Sequence, residues 1–426
     1  MKTHKTLLTL AVAASLASVS TLSQAAGFQL AEYSATGLGR AYAGEAAMAD
    51  NAGAQWRNPA MLTYLKGTQV STGAIYVNPN IDVHGDVTLG SSSTGAESND
   101  YANDAVVPSF YLSHQINDQL VSGVAFGTNY GMETELSSDF AASHFGNEAM
   151  VKTMEVNANL GYQLTEAVSI GGGVRYVMGE GHFGATAPEN NAYHLPQGTT
   201  LKYMEGDDTA WGWQAGAAWQ INPNNRIGVS YKSEVDLKLS GTAKIFNGST
   251  VLNDSGYMIL TMPASAELAS FHQLTEKLAI HSSINWTDWS SFEQLEAELN
   301  KLGTQMVKEE NWEDNYRFAI GATYQLDAKL ALRSGVAYDM GAVSGQNRTI
   351  TIPETDRIWL SLGAGYNVTE QLTVDAGFTY IVAKDASIKE SRGYESDDKA
   401  AAVGGSFVGQ TTGSVWLLGV QASYRF

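Results

Sequence analysis

The 426-residue chain has no cysteine, only eight prolines, and 25 lysines and arginines against 44 acidic residues. Without thiols it cannot form a disulfide framework, a thiolate zinc site, an iron–sulfur cluster or a cysteine nucleophile. The formal net charge of -19 argues against nucleic-acid binding, which needs basic surface to neutralise phosphate. Beyond the N-terminus there is no apolar run of about 18 residues, so no transmembrane helix is expected.

The N-terminus has the three parts of a secretory signal peptide. Residues 1–5 are basic, residues 7–19 are apolar, and Ser23-Gln24-Ala25 is a small-x-small cleavage site. Because the apolar run is too short to cross about 30 Å of hydrocarbon, we expect residues 1–25 to be removed. An exported chain without a transmembrane helix is free in the periplasm, secreted, or a barrel in the outer membrane.

From about residue 68 onward, every second residue is apolar over long segments. The clearest segments are 211–221, 226–239, 316–326, 357–366, 372–380 and 416–426. In segment 226–239 we assign one apolar face to Ile227, Val229, Tyr231, Val235, Leu237 and Leu239. Such alternation indicates strands with one wet and one dry face. A soluble sandwich also alternates, but these segments are longer than the usual five or six residues, and few helices are available to cover the dry faces. Lipid can cover them, and closure into a barrel satisfies every backbone group.

Short turns and longer loops alternate along the same region. Tight polar turns are predicted at 116–120, 164–168, 221–226, 274–278, 326–330 and 368–372. Longer polar loops are predicted near 84–104, 136–150, 182–208, 241–254, 288–311, 340–354 and 384–413. Six turns and seven loops join fourteen strands, and short periplasmic turns with long outer loops are typical of outer-membrane barrels. We therefore predict an all-β fold: a 14-stranded antiparallel transmembrane β-barrel at residues 68–426.

Residues 26–67 do not alternate and are rich in small residues, with a short helix expected near 44–50. A barrel of fourteen strands has a lumen too wide for its wall side chains to fill. We therefore expect residues 26–67 to form an N-terminal plug, or hatch, inside the lumen. Farther along, Trp289, Phe292, Leu295, Leu299 and Leu302 follow a helical spacing, which predicts an amphipathic loop helix over 289–302.

An ordered set of motifs runs across the mature chain: AGFQL at 26–30, GLGRAY at 37–42, Asn58-Pro59-Ala60, Thr128-Asn129-Tyr130-Gly131, WGW at 211–213, WSSF at 289–292, and QNRTITIP at 346–353 running into DRIWLS at 356–361. This set resembles the FadL family of outer-membrane transporters for long-chain fatty acids and other hydrophobic compounds. The resemblance implies a hatch-plugged barrel in the outer membrane.

The resemblance also implies a route for hydrophobic cargo. Cargo would land among the outer loops, move to a pocket near the hatch N-terminus, and leave sideways into the bilayer by passive diffusion at a kink in the third strand. On this sequence the kink is expected at Thr128, Asn129, Tyr130 and Gly131, because strand glycines permit bulges. Asn58, Pro59 and Ala60 are expected against the kink, and Phe28 and Leu30 are expected to line the inner pocket.

The site for a cargo headgroup departs from the family pattern. Two basic positions that face the headgroup in the family align near Ala185 and Glu313, so both charges are absent. Arg317, Arg348 and Arg357 lie within family motifs and are expected to take a carboxylate instead, because an arginine fork suits that group. The loss leaves uncharged hydrophobes, such as alkanes and monoaromatics, as alternative cargo.

Other classes of protein fit less well. A general porin would share the barrel but lack a plug. A barrel lipase needs a serine–histidine pair near the outer interface, whereas His114, His272 and His281 fall at the turn-side ends of strands. The acidic pairs Asp207-Asp208 and Asp397-Asp398 offer weak calcium sites at most. We therefore expect a monomeric transporter, not an enzyme, that uses no cofactor or metal and contacts hydrophobic small molecules and outer-membrane lipid, but no nucleic acid.

Overall fold

The computed structural model describes residues 27–89, 91–191, 193–391 and 405–426. The predicted signal peptide and the Asp397-Asp398 pair lie outside the described residues. Within the described ranges, no helix is long and apolar enough to span a membrane. The strands, in chain order, are β1 (Thr68–Leu89), β2 (Ser92–Ser98), β3 (Ala105–Gln115), β4 (Leu120–Gly127), β5 (Gly131–Glu135), β6 (Glu148–Gln163), β7 (Val168–Thr186), β8 (Thr200–Asn222), β9 (Asn225–Lys232), β10 (Val235–Phe246), β11 (Val251–Met262), β12 (Ser265–Gln273), β13 (Leu278–Thr287), β14 (Gln294–Leu299), β15 (Gly303–Glu309), β16 (Asn315–Gln325), β17 (Leu330–Asp339), β18 (Arg357–Asn367), β19 (Leu372–Ala383), β20 (Ala386–Ser391) and β21 (Ser406–Arg425).

These strands form one antiparallel sheet that closes into a barrel with fourteen wall strands, as predicted. Closure comes from β1 and β21, which pair from Gln69↔Arg425 to Thr88↔Ser406. Several wall strands consist of two segments in line: β2–β3, β4–β5, β9–β10, β11–β12, β13–β14, β15–β16 and β19–β20. All six predicted turns join neighbouring wall strands.

Several outer loops are shorter than predicted. β7 continues to Thr186 and β8 begins at Thr200, so about half of the predicted 182–208 loop is strand. Likewise, β10 and β11 leave only a short turn between Phe246 and Val251. These polar segments were predicted as loops because they lack an outward apolar face. They are nevertheless strands, since beyond the lipid a strand needs no such face.

The turn-side half of the barrel has the predicted wet and dry faces. Outward side chains such as Trp211, Ile320 and Leu362 are exposed on the wall. Inward positions on the same wall carry polar residues, including the buried Asn157 and Arg175. An apolar exterior and a polar interior are what a lipid-embedded barrel requires.

The predicted face of segment 226–239 is wrong in its second half. Val229 and Tyr231 in β9 point outward as expected, but Val235, Leu237 and Leu239 in β10 are buried inside the barrel. The interruption at residues 233–234 separates the two strands, and the side chains change sides across it. The outer half of this wall strand is therefore apolar inside and polar outside.

The N-terminal segment, residues 27–67, packs inside the barrel. It contains two short α-helices, Ala35–Leu38 and Ala54–Arg57, and two 3-10 helices, Glu45–Ala47 and Pro59–Tyr64. The helix expected near 44–50 is thus a single 3-10 turn. Leu38, Trp56 and Leu62 are fully buried, and the segment contacts strands around the barrel, from β4 to β9 and from β18 to β21.

Wall glycines allow this segment to approach the strands closely. A Cβ on Gly335 of β17 would overlap the carbonyl of Arg40, and one on Gly171 of β7 would overlap the backbone of Pro59 and Ala60. The first helix is capped within the segment, since the side chain of Ser34 accepts a hydrogen bond from the Gly37 N–H at 2.9 Å. The segment is therefore built into the barrel rather than loosely enclosed.

The predicted loop helix over 289–302 is absent. A 3-10 turn, Trp289–Ser291, is followed by the hairpin of β14 and β15. Leu295, Ala297 and Leu299 occupy alternate positions of β14 and face the same side, which is the two-residue period of a strand. Over so short a stretch the sequence fits both the helical period and the two-residue period of a strand. The backbone pairing of β14 with β15 and β11 stabilises the strand.

Candidate functional site

An apolar cavity lies in the outer half of the barrel, and we call it the apolar cavity throughout. Its void is about 900 Å³ including its mouth. Aliphatic and aromatic side chains from β5 to β8, β10, β11, β14 and β15 line it, among them Met132, Val151, Phe183, Met204, Leu239, Leu260, Leu299 and Val307. The inward-turned apolar face of β10 supplies part of this lining. A cavity of this composition suits an alkyl chain or another hydrophobic molecule.

Phe28, from the start of the N-terminal segment, lies at one end of the apolar cavity. Its ring centroid lies 4.7 Å from that of Trp289, 6.0 Å from those of Phe292 and Trp312, and 6.1 Å from that of Tyr130. These five rings form the aromatic cluster. The cluster joins four parts of the molecule: the N-terminal segment, the link between β13 and β14, the link between β15 and β16, and the third wall strand.

Gly27 fixes the position of Phe28. Its φ of +58° lies in the left-handed region, and an added Cβ would lie 2.5 Å from the Trp289 ring. The Gly27 N–H donates to Glu354 Oε1 at 2.7 Å. Arg357 Nη2 donates to the Gly27 carbonyl at 3.3 Å. The first described residues of the chain are therefore held by the loop between β17 and β18.

Two buried carboxyls in the outer loops have raised pKa values. Burial raises the pKa of Glu354 to about 8 and that of Glu310 to about 7. Glu310 lines the apolar cavity and accepts a hydrogen bond from Trp312 Nε1 at 2.9 Å. Neither residue was predicted from the sequence, because an isolated glutamate in a polar loop carries no pattern that marks it as buried.

The third wall strand is interrupted at the predicted place. β4 ends at Gly127 and β5 begins at Gly131. On the β6 side, the three residues 128–130 face only two, because Gly127 pairs with Glu155 and Gly131 pairs with Lys152. Thr128, Asn129 and Tyr130 are all buried. The extra residue makes this stretch a bulge directed into the barrel.

A gap in the wall accompanies the bulge, and we call the two together the wall interruption. The second and third wall strands pair up to Phe110↔Phe126 and meet again at Ala102↔Thr134. Among the described residues, 104–109 of the second wall strand have no ladder partner on the third. Six residues of strand correspond to about 20 Å of wall.

The N-terminal segment pairs with the bulge instead. The Leu30 N–H donates to the Asn129 carbonyl at 2.7 Å, and the Gly131 N–H donates to the Phe28 carbonyl at 2.9 Å. Backbone groups that a neighbouring wall strand would normally satisfy are thus satisfied from inside the barrel.

A buried polar network also holds the bulge. Arg175 donates to both carboxylate oxygens of Glu155 at 2.8 Å. Asn129 Nδ2 donates to Glu155 Oε2 at 2.6 Å, and Lys232 Nζ donates to Asn129 Oδ1 at 3.0 Å. Asn129 therefore connects the bulge to the walls on either side of β7.

Asn58, Pro59 and Ala60 do not lie against the bulge as predicted. Asn58 Nδ2 donates to the carbonyls of Ala46 and Ala217 at 2.7 and 3.1 Å. Pro59 and Ala60 lie against Gly171 of β7, several residues toward the turns from the interruption. Trp56 is the residue of the N-terminal segment that lies beside Gly127. Asn58 instead caps the 3-10 helix Pro59–Tyr64 and ties it to the wall, with its Oδ1 accepting from the Ala60 N–H at 3.0 Å.

The five residues predicted to bind ligand do not share one site. Phe28 lines the apolar cavity, whereas Leu30 and Arg317 line a separate polar chamber. Arg348 donates to the carbonyls of Glu354, Ser387 and Val343, and Arg357 contacts Gly27. The latter two arginines thus hold loops together. Of the aligned headgroup positions, Ala185 is buried and Glu313 is exposed.

Together, the lipid-facing wall, the internally packed N-terminal segment, the apolar cavity and the wall interruption define an outer-membrane β-barrel of the transport type. The sequence model of the family described as "Outer membrane protein transport protein (OMPP1/FadL/TodX)" matches residues 16–426. The chain belongs to this family and is an outer-membrane protein.

Known relatives cover nearly the full chain. Outer membrane protein P1 of Haemophilus influenzae is 37% identical over 404 residues, covering 86% of this chain and 88% of that protein. The long-chain fatty acid transport protein of Escherichia coli K12 is 32% identical over 461 residues, covering 99% and 100%. A crystal structure of a Pseudomonas aeruginosa FadL homologue has a TM-score of 0.84 at 22% identity, covering 94% and 100%, and this likeness supports the fold.

Proposed function

We propose that this chain carries long-chain fatty acids or similar hydrophobic compounds through the outer membrane by passive diffusion. Residues 26–67 would act as the hatch that closes the barrel, residues 68–426 as the barrel, and residues 1–25 as the removed signal peptide. The single observation that carries the proposal is the aromatic cluster, because it places the apolar cavity beside the wall interruption: Phe28 lines the cavity and packs against Tyr130 of the bulge.

Cargo would follow these contacts. It would enter the apolar cavity from the outer loops, displace the ring of Phe28, and pass Thr128, Asn129, Tyr130 and Gly131 into the bilayer. Each methylene kept out of water is worth about 0.8 kcal/mol. A path from the apolar cavity directly into lipid keeps the alkyl chain out of water throughout. A water-filled lumen would expose the chain, and this free energy would be lost. A concentration gradient then suffices, and no cofactor or energy source is required.

The alternative cargo is an uncharged hydrophobe, such as an alkane or a monoaromatic. This alternative is favoured by the lining of the apolar cavity, which includes no arginine among the described residues and whose Lys308 is already paired with Glu390. A general porin is disfavoured by the buried N-terminal segment. Single-channel recording separates the two classes, because a plugged barrel conducts few ions and a porin conducts many.

The test straightens the third wall strand. Deleting Asn129 leaves two residues facing Thr153 and Met154, so β4 and β5 can run on as one strand along β6. The variant is expressed in Gram-negative cells that lack their own fatty acid transporter, and uptake of radiolabelled oleate is measured. We expect uptake to fall to the background of the empty vector.

The matched control deletes Asn190, an exposed residue in the loop between β7 and β8. Heat-modified migration on a gel checks that both deletion variants form a folded barrel. We expect the Asn190 deletion to transport oleate at the normal rate. Normal uptake by the folded Asn129 deletion would refute lateral exit.

A further inference from the structure

A second, polar chamber lies inside the barrel at the level where β9 and β13 end and β12 and β16 begin. Its void is about 580 Å³ including its openings. Residues 29–31 of the N-terminal segment line it, whereas the preceding residue, Phe28, lines the apolar cavity. Its charged lining consists of Arg57, Lys232, Arg317, Glu267 and Asp339. This polar chamber is distinct from the apolar cavity in both place and chemistry.

Two of the three cations of the polar chamber, Arg317 and Lys232, have no close anionic partner among the described residues. Arg317 is 5% exposed; its Nη2 donates to the Ala41 carbonyl at 2.8 Å and its guanidinium lies 4.8 Å from the centre of the Trp359 ring, while its Nε and Nη1 have no hydrogen-bond partner in the part of the chain that the structure describes. Lys232 donates to the amide of Asn129, and its Nζ lies 4.4 Å from the centre of the Trp56 ring. Within the described ranges, no carboxylate oxygen lies within 4.0 Å of either residue. Arg57 Nε stands 3.9 Å from Glu267 Oε2.

A buried guanidinium with unsatisfied N–H groups and no paired anion is unfavourable. Glu267 and Asp339 offset two of the three positive charges, so the lining has one charge left over. One monoanion would make the lining neutral and would supply acceptors to the open nitrogens of Arg317. Leu30, Ala266 and Trp286 also line the chamber, so an apolar chain could accompany the anion.

We propose that the polar chamber binds the carboxylate of an anionic amphiphile, with Arg317, Lys232 and Arg57 as its cationic ligands. This inference rests on the proposed transport function and deepens it, since it selects fatty acids over uncharged hydrocarbons. The chamber adjoins the wall interruption. Lys232 Nζ donates a hydrogen bond to the side-chain amide of Asn129 in the bulge, and the Leu30 N–H donates to the Asn129 carbonyl. The carboxylate is thus held beside the wall interruption.

The test compares two probes that differ only in the head group, tetradecanoate and tetradecanol. Binding to the full-length mature protein in phosphatidylcholine nanodiscs is measured at pH 8. We expect the wild type to bind tetradecanoate at least about tenfold more tightly than tetradecanol, because hydrogen bonds to charged groups are strong when buried. Arg317→Gln should remove this preference and leave the tetradecanol affinity unchanged.

Two further variants serve as controls. Arg317→Lys keeps the charge and should keep part of the preference. Arg333→Gln removes a buried arginine of β17 that pairs with Asp375 outside the polar chamber, and it should keep the full preference. If Arg317→Gln fails to fold, Lys232→Gln takes its place with the same expected loss.

The outcomes are distinguishable. Equal affinity of the wild type for acid and alcohol would overturn the carboxylate site and leave a chamber that holds water, while transport of hydrophobes would stand. Preference retained in Arg317→Gln and Lys232→Gln would also overturn it. If neither probe binds, the proposed function itself fails, and this inference falls with it.

Discussion

Replacing Leu260 with asparagine tests whether the apolar cavity binds cargo. Leu260 is 5% exposed, lines the cavity, and has the same number of side-chain non-hydrogen atoms as asparagine. An alkyl chain that occupies the cavity would have to strip water from the new amide without offering it a hydrogen bond. Such desolvation costs about 1–3 kcal/mol, and a central value of about 2 kcal/mol weakens binding roughly 30-fold.

The adjacent residue supplies the control. Ile259 belongs to the same strand, β11, but its side chain points outward and is 52% exposed. Ile259→Asn makes the same chemical change outside the cavity, so we expect oleate affinity to stay within about twofold of the wild type. Equilibrium binding of a fluorescent long-chain fatty acid, displaced by oleate in nanodiscs, measures both variants.

Two results would refute the reasoning. Unchanged affinity in Leu260→Asn would mean that cargo does not occupy the apolar cavity. Equal losses in both variants would mean that the effect comes from the fold of β11 rather than from contact with cargo. Heat-modified migration on a gel reports whether each variant is folded.

Two further predictions concern the position of the N-terminal segment. Because burial raises the pKa of Glu354 to about 8 from an ordinary value of 4.5, the contribution of this neutral carboxyl to the stability of the folded loop is fully present below about pH 4.5 and is lost as the pH rises through about 8, where a buried negative charge forms beside Gly27. Tryptophan fluorescence of the aromatic cluster should therefore shift across this range, and Glu354→Gln should flatten that part of the shift; an identical pH profile in the variant would contradict the assignment. Gly27→Ala places a Cβ against the Trp289 ring at a positive φ, so we expect it to displace Phe28, make the cluster tryptophans more accessible to a quencher, and leave the barrel folded. Unchanged quenching would show that Gly27 does not fix the position of Phe28.

The barrel could be predicted from the sequence because lipid imposes a simple rule on its wall. Each membrane-spanning segment must show an apolar face with a period of two residues, and each tight turn must be polar. The fourteen strands and six turns follow from these patterns. The interruption at residues 128–130 was located from the motif and the glycines that flank it.

The candidate site was harder to predict, because it depends on where strands change sides. Residues 226–239 alternate almost without a break, yet Tyr231 points outward and Val235 points inward. Only the interruption at residues 233–234 distinguishes the two halves, and the alternation of apolar residues does not show where it lies. The apolar face of β10, which supplies part of the cavity lining, therefore cannot be distinguished from lipid-facing wall by periodicity.

Long-range contacts decide the remaining positions. The three arginines singled out by motif are separated in space, because Arg348 and Arg357 serve the outer loops while Arg317 faces the polar chamber. Lys232 and Arg57 join Arg317 there from distant parts of the chain. Nothing in the sequence near any of the three indicates that they meet.

The most direct test of sideways exit uses a fatty acid with a photoreactive diazirine at the end of its alkyl chain. Cells that express the protein take up the probe, are illuminated, and the labelled peptides are identified by mass spectrometry. Labels should fall in the apolar cavity, at Tyr130 and Gly131, and on residues 104–109 that edge the gap. Labels on the turn-side end of the N-terminal segment, at Tyr64 to Gly67, with none at the gap, would show an axial path to the periplasm and would contradict the account.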